Sequence, residues 1–402
     1  MNKKITAAVA SAALVLGATS ANAGIIIPAG EWTLDVNGNV NAYATYYDFD
    51  DATAAAGGLS GAQVDGEKNS QSINTGLLPA WLGFTGTTRQ NDLDVSFTIS
   101  MQPNVSDNDG GAGDNTSAKW RQAFLTFGDA SWGTVKMGKD LGIFAGNAIL
   151  NDMTLLGVGG NAGSVGGATS GAKTSLGGIG TGYVYASWVG QFAYTTPNMN
   201  GFQATVAITN PNHSNQTADY QDRFGVEGQI QYSFDSGKVW VSALSNKASD
   251  GQAASDNEWD QEAIDLGVNL NFGNIGLTGY YYSTKGLGST FRGGLTGTSA
   301  TDGGINTTTG QERDGDGGYL QATYVIPSGT KLGVAYGVSS LDKASSTDTA
   351  HLDENERWTV GAYHPLTKHL NLVAEYNNVE SKDHAGVNSE GDAVSIGAIL
   401  FF

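Results

Sequence analysis

Long stretches of the chain alternate between apolar and polar residues, the period of two expected of strands whose two faces meet different surroundings. From Arg223 to Phe234 one face reads Phe224, Val226, Gly228, Ile230, Tyr232, Phe234, and the other Arg223, Gly225, Glu227, Gln229, Gln231, Ser233. Ile264, Leu266, Val268, Leu270 and Phe272 alternate with Asp265, Gly267, Asn269 and Asn271. Leu93, Val95, Phe97, Ile99 and Met101 alternate with Asp94, Ser96, Thr98, Ser100 and Gln102, and Val394, Ile396, Ala398, Leu400 and Phe402 share a face. Helical periodicity is nearly absent after residue 24.

Seven short turns punctuate this pattern, at Arg89–Asp92, Gly128–Trp132, Asn198–Gly201, Asp235–Gly237, Gly273–Asn274, Pro327–Gly329 and Pro365–Lys368. Between them fall long polar loops near 49–79, 103–118, 140–182, 210–221, 248–261, 286–316, 342–354 and 382–390. Seven hairpins, with one strand before them (Trp32 to Asp48) and one after (Asp392 to Phe402), predict sixteen antiparallel strands. An even strand count, with short turns at one end and long loops at the other, is the pattern of an outer-membrane barrel. A secreted sandwich also alternates but has no reason for so systematic a difference in connection length. Aromatic residues at expected strand ends, Trp32, Tyr46, Tyr194, Phe202, Phe234, Phe272, Phe401 and Phe402, fit interfacial girdles. The expected fold is therefore all-β, a closed 16-stranded antiparallel transmembrane barrel.

The N-terminus adds the compartment. Met1-Asn2-Lys3-Lys4 is a basic start, Ile5 to Thr19 an apolar run and Ala21-Asn22-Ala23 a small-x-small site, so 1–23 reads as a signal peptide and 24–402 as the barrel. Composition narrows the function. The 402 residues include no cysteine, which removes disulfides, thiolate metal sites and a cysteine nucleophile. With 39 acidic against 20 basic residues and a net charge of −19, a nucleic-acid partner is not expected. Only 15% of residues are charged, against about 25% in ordinary soluble domains, as lipid-facing strands require.

Several stretches resemble the general Gram-negative outer-membrane porin family. Leu82-Gly83-Phe84-Thr85-Gly86 is similar to its LGFxG strand. Lys119-Trp120-Arg121-Gln122-Ala123-Phe124, followed by Trp132-Gly133-Thr134-Val135-Lys136-Met137-Gly138-Lys139, is similar to its RxAF and GxVxxGR hairpin, and Phe402 to its closing aromatic residue. The resemblance implies a homotrimer in contact with lipid and lipopolysaccharide, and Phe402 as the signal read by the barrel-assembly machinery. It also implies a long third loop folded into the lumen, its acids facing bases on the wall. On this chain the loop runs from Asp140 to about Gly182, with a short helix at Ile143–Leu156, and its acids are Asp140 and Asp152. Lys139 takes the place of the family's GR arginine, Arg121 matches the RxAF arginine, and Trp81 stands where other members have arginine.

Alternation supplies further lining candidates, Asp94, Arg223, Glu227, Asp265, Asn269, Asn371 and Glu375. Carboxylates in a narrow opening attract cations, so a weak cation preference is expected for a channel passing small hydrophilic solutes and ions. A solute-selective channel, for oligosaccharides for example, would need stacking faces such as Trp81, Trp120, Tyr43 or Trp188, and a non-conducting adhesin barrel would use its acidic loops. Asp107–Asn115 and Asp314–Gly317 offer oxygen ligands without an EF-hand frame, and Gly166–Thr174 lacks the spacing of a phosphate loop. The five histidines, His213, His351, His364, His369 and His384, form no nucleophile and base pair by spacing. No cofactor, metal or catalytic activity is expected.

Overall fold

The computed structural model describes residues 24–402 except 64, 104–118, 161–173, 211–222, 250–257 and 292–300. Residues 1–23, expected above to be a signal peptide, the Asp107–Asn115 stretch, His213 and all but the last residue of Gly166–Thr174 lie outside the described residues. The strands are β1 (Ile25–Ala29), β2 (Trp32–Phe49), β3 (Asn69–Asn74), β4 (Trp81–Gln90), β5 (Leu93–Gln102), β6 (Lys119–Asp129), β7 (Gly133–Leu141), β8 (Trp188–Thr195) and β9 (Phe202–Thr209). They continue as β10 (Gly225–Phe234), β11 (Gly237–Ser249), β12 (Glu258–Phe272), β13 (Ile275–Lys285), β14 (Asp314–Val325), β15 (Lys331–Leu341), β16 (Leu352–Pro365), β17 (Leu370–Asp383) and β18 (Asn388–Phe401).

Every pairing is antiparallel, and β4 to β18 pair in chain order. Closure is made at β2. One of its edges pairs with β18 through 39–49 and with β1 through 32–36. The other pairs with β4 through 33–39 and with β3 through 43–48. β1 thus prolongs the line of β18, β3 and β4 are two halves of one interrupted line, and sixteen staves result, as the turn pattern predicts. The seam is sealed where the Gly38 amide donates to the Phe402 carbonyl at 2.8 Å and the Phe402 amide to the Gly38 carbonyl at 3.0 Å. A closed sheet of this kind leaves no backbone amide unpaired in lipid.

The two faces are inverted relative to a soluble protein. Apolar side chains such as Ile230, Leu266, Leu320 and Ile396 are more than half exposed on the outside, while Glu227, Gln261, Asn377 and Ser395 are fully buried inside. All seven short turns occur where expected. The long loops are shorter than expected at several places, because β11 runs to Ser249, β12 starts at Glu258, β16 at Leu352, β17 ends at Asp383 and β18 starts at Asn388. These strand ends carry polar residues on both faces, Asp260 and Gln261 for example, so the alternation fades while the ladder continues. Asp314–Gly317, expected in a loop, begins β14. Phe401 is a second correction. It pairs with Asn39 and is 9% exposed, so it points inward rather than joining a girdle, whereas Leu400 is outward.

Inside the barrel lies an apolar cluster that no lipid touches. Phe144, Ala148, Ile179, Tyr183 and Val184 of the third loop pack on Trp240, Leu244, Tyr280, Tyr282 and Tyr319 of the wall. Gly267 makes room for it, since a Cβ there would lie 2.0 Å from the Trp240 ring.

Candidate functional site

The site is the lumen, and its shape is set by the third loop, between Leu141 and Trp188. Its expected helix is realised as α1 (Gly146–Asn151) and a 3-10 turn at Met153–Leu156. The loop turns into the barrel because its backbone amides find acceptors on the inner wall. Ile143 and Phe144 donate to Glu227 Oε2 at 2.7 and 2.9 Å, and Ala145 donates to Asp265 Oδ2 at 2.9 Å. Further along, Met153 donates to Gln321 Oε1 at 2.6 Å, and Val158 and Gly159 donate to Glu375 Oε2 at 2.9 and 2.8 Å. The wall donates in return, Tyr319 Oη to the Ala148 carbonyl at 2.8 Å and Tyr43 Oη to the Leu156 carbonyl at 2.7 Å. A carboxylate accepting two amides satisfies them more strongly than a neutral group would. Glu227, Asp265 and Glu375 therefore act as anchors for the loop.

Asp152 is buried within the loop. Oδ1 accepts from the Thr154 amide, Oδ2 from the Gly178 amide at 3.0 Å and from Tyr183 Oη at 2.8 Å, and the Arg357 guanidinium lies 3.8 Å away. Arg357 also donates from Nε to Thr181 Oγ1 at 3.1 Å, which ties the returning limb of the loop to β16. Asp140 is buried where β7 enters the loop, ion-paired to Lys136 and accepting from Gln122 Nε2 at 2.8 Å. Trp81 is 4% exposed on the inner face of β4, folded over Gly83.

Other candidates sit elsewhere. Lys139 shares a rung with outward Ala123 and Gly190, one step out of register with inward Asp140, so it stands on the outer face and donates to the Trp120 carbonyl at 3.2 Å. Trp120 is 59% exposed on the same outer face and offers no stacking surface to the lumen. Arg121 occupies the irregularity between β5 and β6, with its guanidinium 5.9 Å from the centre of the Trp188 ring. Arg223 precedes β10 and reaches over the rim to Asp260 Oδ1 at 3.0 Å, on the outward row of β12, rather than into the lumen. Asp94 is on the inner row but at the turn end, paired with Arg89 at 2.7 Å, while Arg89 also holds Asp129 at 2.9 Å.

Besides Lys136 and Arg357, two further bases face inward and belong to no motif. Lys238 donates to Asn147 Oδ1 at 2.9 Å and lies 5.4 Å from the Trp240 ring centre, and Lys331 lies 4.9 Å from that of Tyr363. Parity alone points to them, since both stand on an inward row just after a short turn. Between the charged groups the lower wall is neutral, with cross-strand pairs Thr85–Thr98 at 3.1 Å, Ser96–Thr126 at 2.6 Å, Thr195–Thr205 at 3.0 Å and Asn269–Thr278 at 3.0 Å. Such a wall hydrogen-bonds water and polar solutes without binding an ion tightly.

A second polar cluster lies in the outer loops. Arg313 pairs with Asp348 through Nε at 2.8 Å, and His351 Nε2 is 3.1 Å from the same carboxylate. Burial pushes the Asp348 carboxyl up, but hydrogen bonds from Arg313 and the Ala344 amide outweigh it and hold the group at about 2. Burial, with the Arg313 charge, pushes the His351 imidazole below its ordinary value.

Comparison with known proteins agrees with this geometry. The fold matches the outer membrane channel DcaP of Acinetobacter baumannii, with TM-score 0.67 and 16% identity over 94% of this chain and 100% of that one. It also matches an anion-selective porin from Comamonas acidovorans, TM-score 0.64, 17% identity, 92% and 100% covered. A third match is OmpF of Salmonella typhi in complex with daunomycin, TM-score 0.63, 17% identity, 94% and 100% covered. No curated protein sequence matches the chain. The family profile described as Gram-negative porin matches residues 10–384, and the chain belongs to that family, an outer-membrane channel protein built as a transmembrane β-barrel.

Proposed function

We propose that the protein is a passive, water-filled pore through which small hydrophilic solutes and ions diffuse, with a weak preference for cations. The observation that carries the reading is the polar inner wall of a closed barrel whose third loop is held across the lumen by Glu227, Asp265 and Glu375. The cation preference rests on the excess of 39 acidic over 20 basic residues and on five buried inward acids, Asp140, Asp152, Glu227, Asp265 and Glu375, of which Asp140 pairs with Lys136 and Asp152 lies 3.8 Å from Arg357. We also propose a homotrimer, in keeping with the trimer form of Vibrio cholerae OmpT, a fold relative with TM-score 0.58 and 13% identity. Residues 1–23 direct export, Phe402 addresses the chain to the barrel-assembly machinery, and the outer surface meets lipopolysaccharide.

Planar-bilayer recording tests the proposal. Ohmic steps with a reversal potential of cation sign under a KCl gradient are expected. An anion-sign reversal would refute the preference while leaving the pore, and a barrel that inserts without conducting would refute the pore itself.

A further inference from the structure

The third loop is not alone inside the barrel. The first loop, between β2 and β3, also leaves the rim and descends onto the inner wall of β16, β17 and β18. Asn355, Ser381 and Ser389 form one inward rung across these strands, each fully buried, with Ser381 Oγ donating to Asn355 Oδ1 at 2.6 Å. This rung accepts four successive contacts from the loop backbone. The Ala55 amide donates to Ser389 Oγ at 3.1 Å, the Leu59 amide to Ser381 Oγ at 2.9 Å and Asn355 Oδ1 at 3.1 Å, and the Ser60 amide to Ser381 Oγ at 3.1 Å. Beside it the Ala56 amide donates to Asp383 Oδ2 at 3.0 Å.

Leu59 is the apolar partner of these polar bonds. It is 4% exposed and belongs to the same buried cluster as Ile179 and Tyr183 of the third loop and Leu287 of the loop between β13 and β14. Contact is close enough that a Cβ on Gly180 would lie 2.7 Å from Leu59 Cδ1. Gly57, at φ +78°, allows the turn, and a Cβ there would lie 2.3 Å from the Thr301 carbonyl.

We infer that the first loop is a second constriction element, laid over the third and fixed to the Asn355–Ser381–Ser389 rung, which confines entering solute to the side of the lumen away from β16–β18. The inference rests on the pore reading above. A backbone with its amides satisfied by an inward rung, and with Leu59 packed into a buried cluster, has no lower-energy position in water outside. It therefore narrows the path permanently instead of swinging across it.

Two variants test this. Leu59→Asp places a charge in the apolar cluster and expels the loop, so unitary conductance rises about twofold and larger sugars enter in liposome swelling. A pore whose conductance and sugar cut-off are unchanged by Leu59→Asp would overturn the inference. The paired variant Ala55→Cys/Ser389→Cys uses the absence of other cysteines. Oxidation is expected to cross-link it nearly completely, and failure to cross-link would equally overturn the placement. Because cross-linking is read by gel shift, it reports on the loop even if the wild-type barrel does not conduct, which would instead sink the pore reading.

Discussion

Single side chains here do two jobs that sequence alone keeps separate. Glu227 is recognisable as an inward acid from its parity, but its use as an acceptor for Ile143 and Phe144 depends on a loop more than eighty residues away. Replacing it with glutamine keeps the shape and removes the charge. Each of its two loop bonds is expected to weaken by about 1 kcal/mol, the difference between charged and neutral acceptors. Hydrogen exchange at the Ile143 and Phe144 amides should accelerate accordingly, and unchanged exchange would show that the anchor is unimportant. In the outer loops, His351 has a folded value below its unfolded 6.5, so its neutral form is favoured by folding. Its contribution to the Arg313–Asp348–His351 cluster is complete above pH 6.5 and falls away below it. Asp348, depressed to about 2, holds its pairing until the pH drops from 3.8 toward 2. An NMR titration of His351 should show a midpoint under 6.5, and one above it would reverse the sign.

At the scale of elements, alternation proved the reliable signal and motif position the weaker one. Val135, Met137 and Lys139 are on one face of β7 by simple counting, and that face is outward. Only the GR position that Lys139 matches points it toward the lumen. Arg223 departs from the lumen for another reason, since it precedes Gly225, where β10 and its inward row begin. β3 and the inward course of Ala55 to Ser60 left no readable trace, because Ala54-Ala55-Ala56-Gly57-Gly58-Leu59-Ser60 has the composition of any surface loop. Its position is decided by acceptors on strands three hundred residues later. The outward row allows a direct check. Ile230 stands near the middle of β10 and is 62% exposed. Ile230→Arg is expected to cost about 2–4 kcal/mol in unfolding from bilayers, as arginine does at the lipid midplane, whereas Gln229→Arg on the inner row should cost far less. Equal costs would contradict the assignment of faces.

For the whole molecule, the number of staves and the position of every short turn were readable because lipid imposes its thickness and its polarity on each strand separately. The interior was not readable in that way, as each inner residue meets a loop from a distant part of the chain. The seam between Gly38 and Phe402 has its own consequence. The partners that close the cylinder are nearly the full chain length apart, so the contact order of the sealing pair is close to the maximum the chain allows. Sheet growth from any hairpin leaves two raw edges until β18 meets β2, and those edges are the template on which foreign strands pair. Those edges must therefore be shielded until the barrel closes, and the last step of closure is the docking of β18 on β2 rather than the collapse of a core.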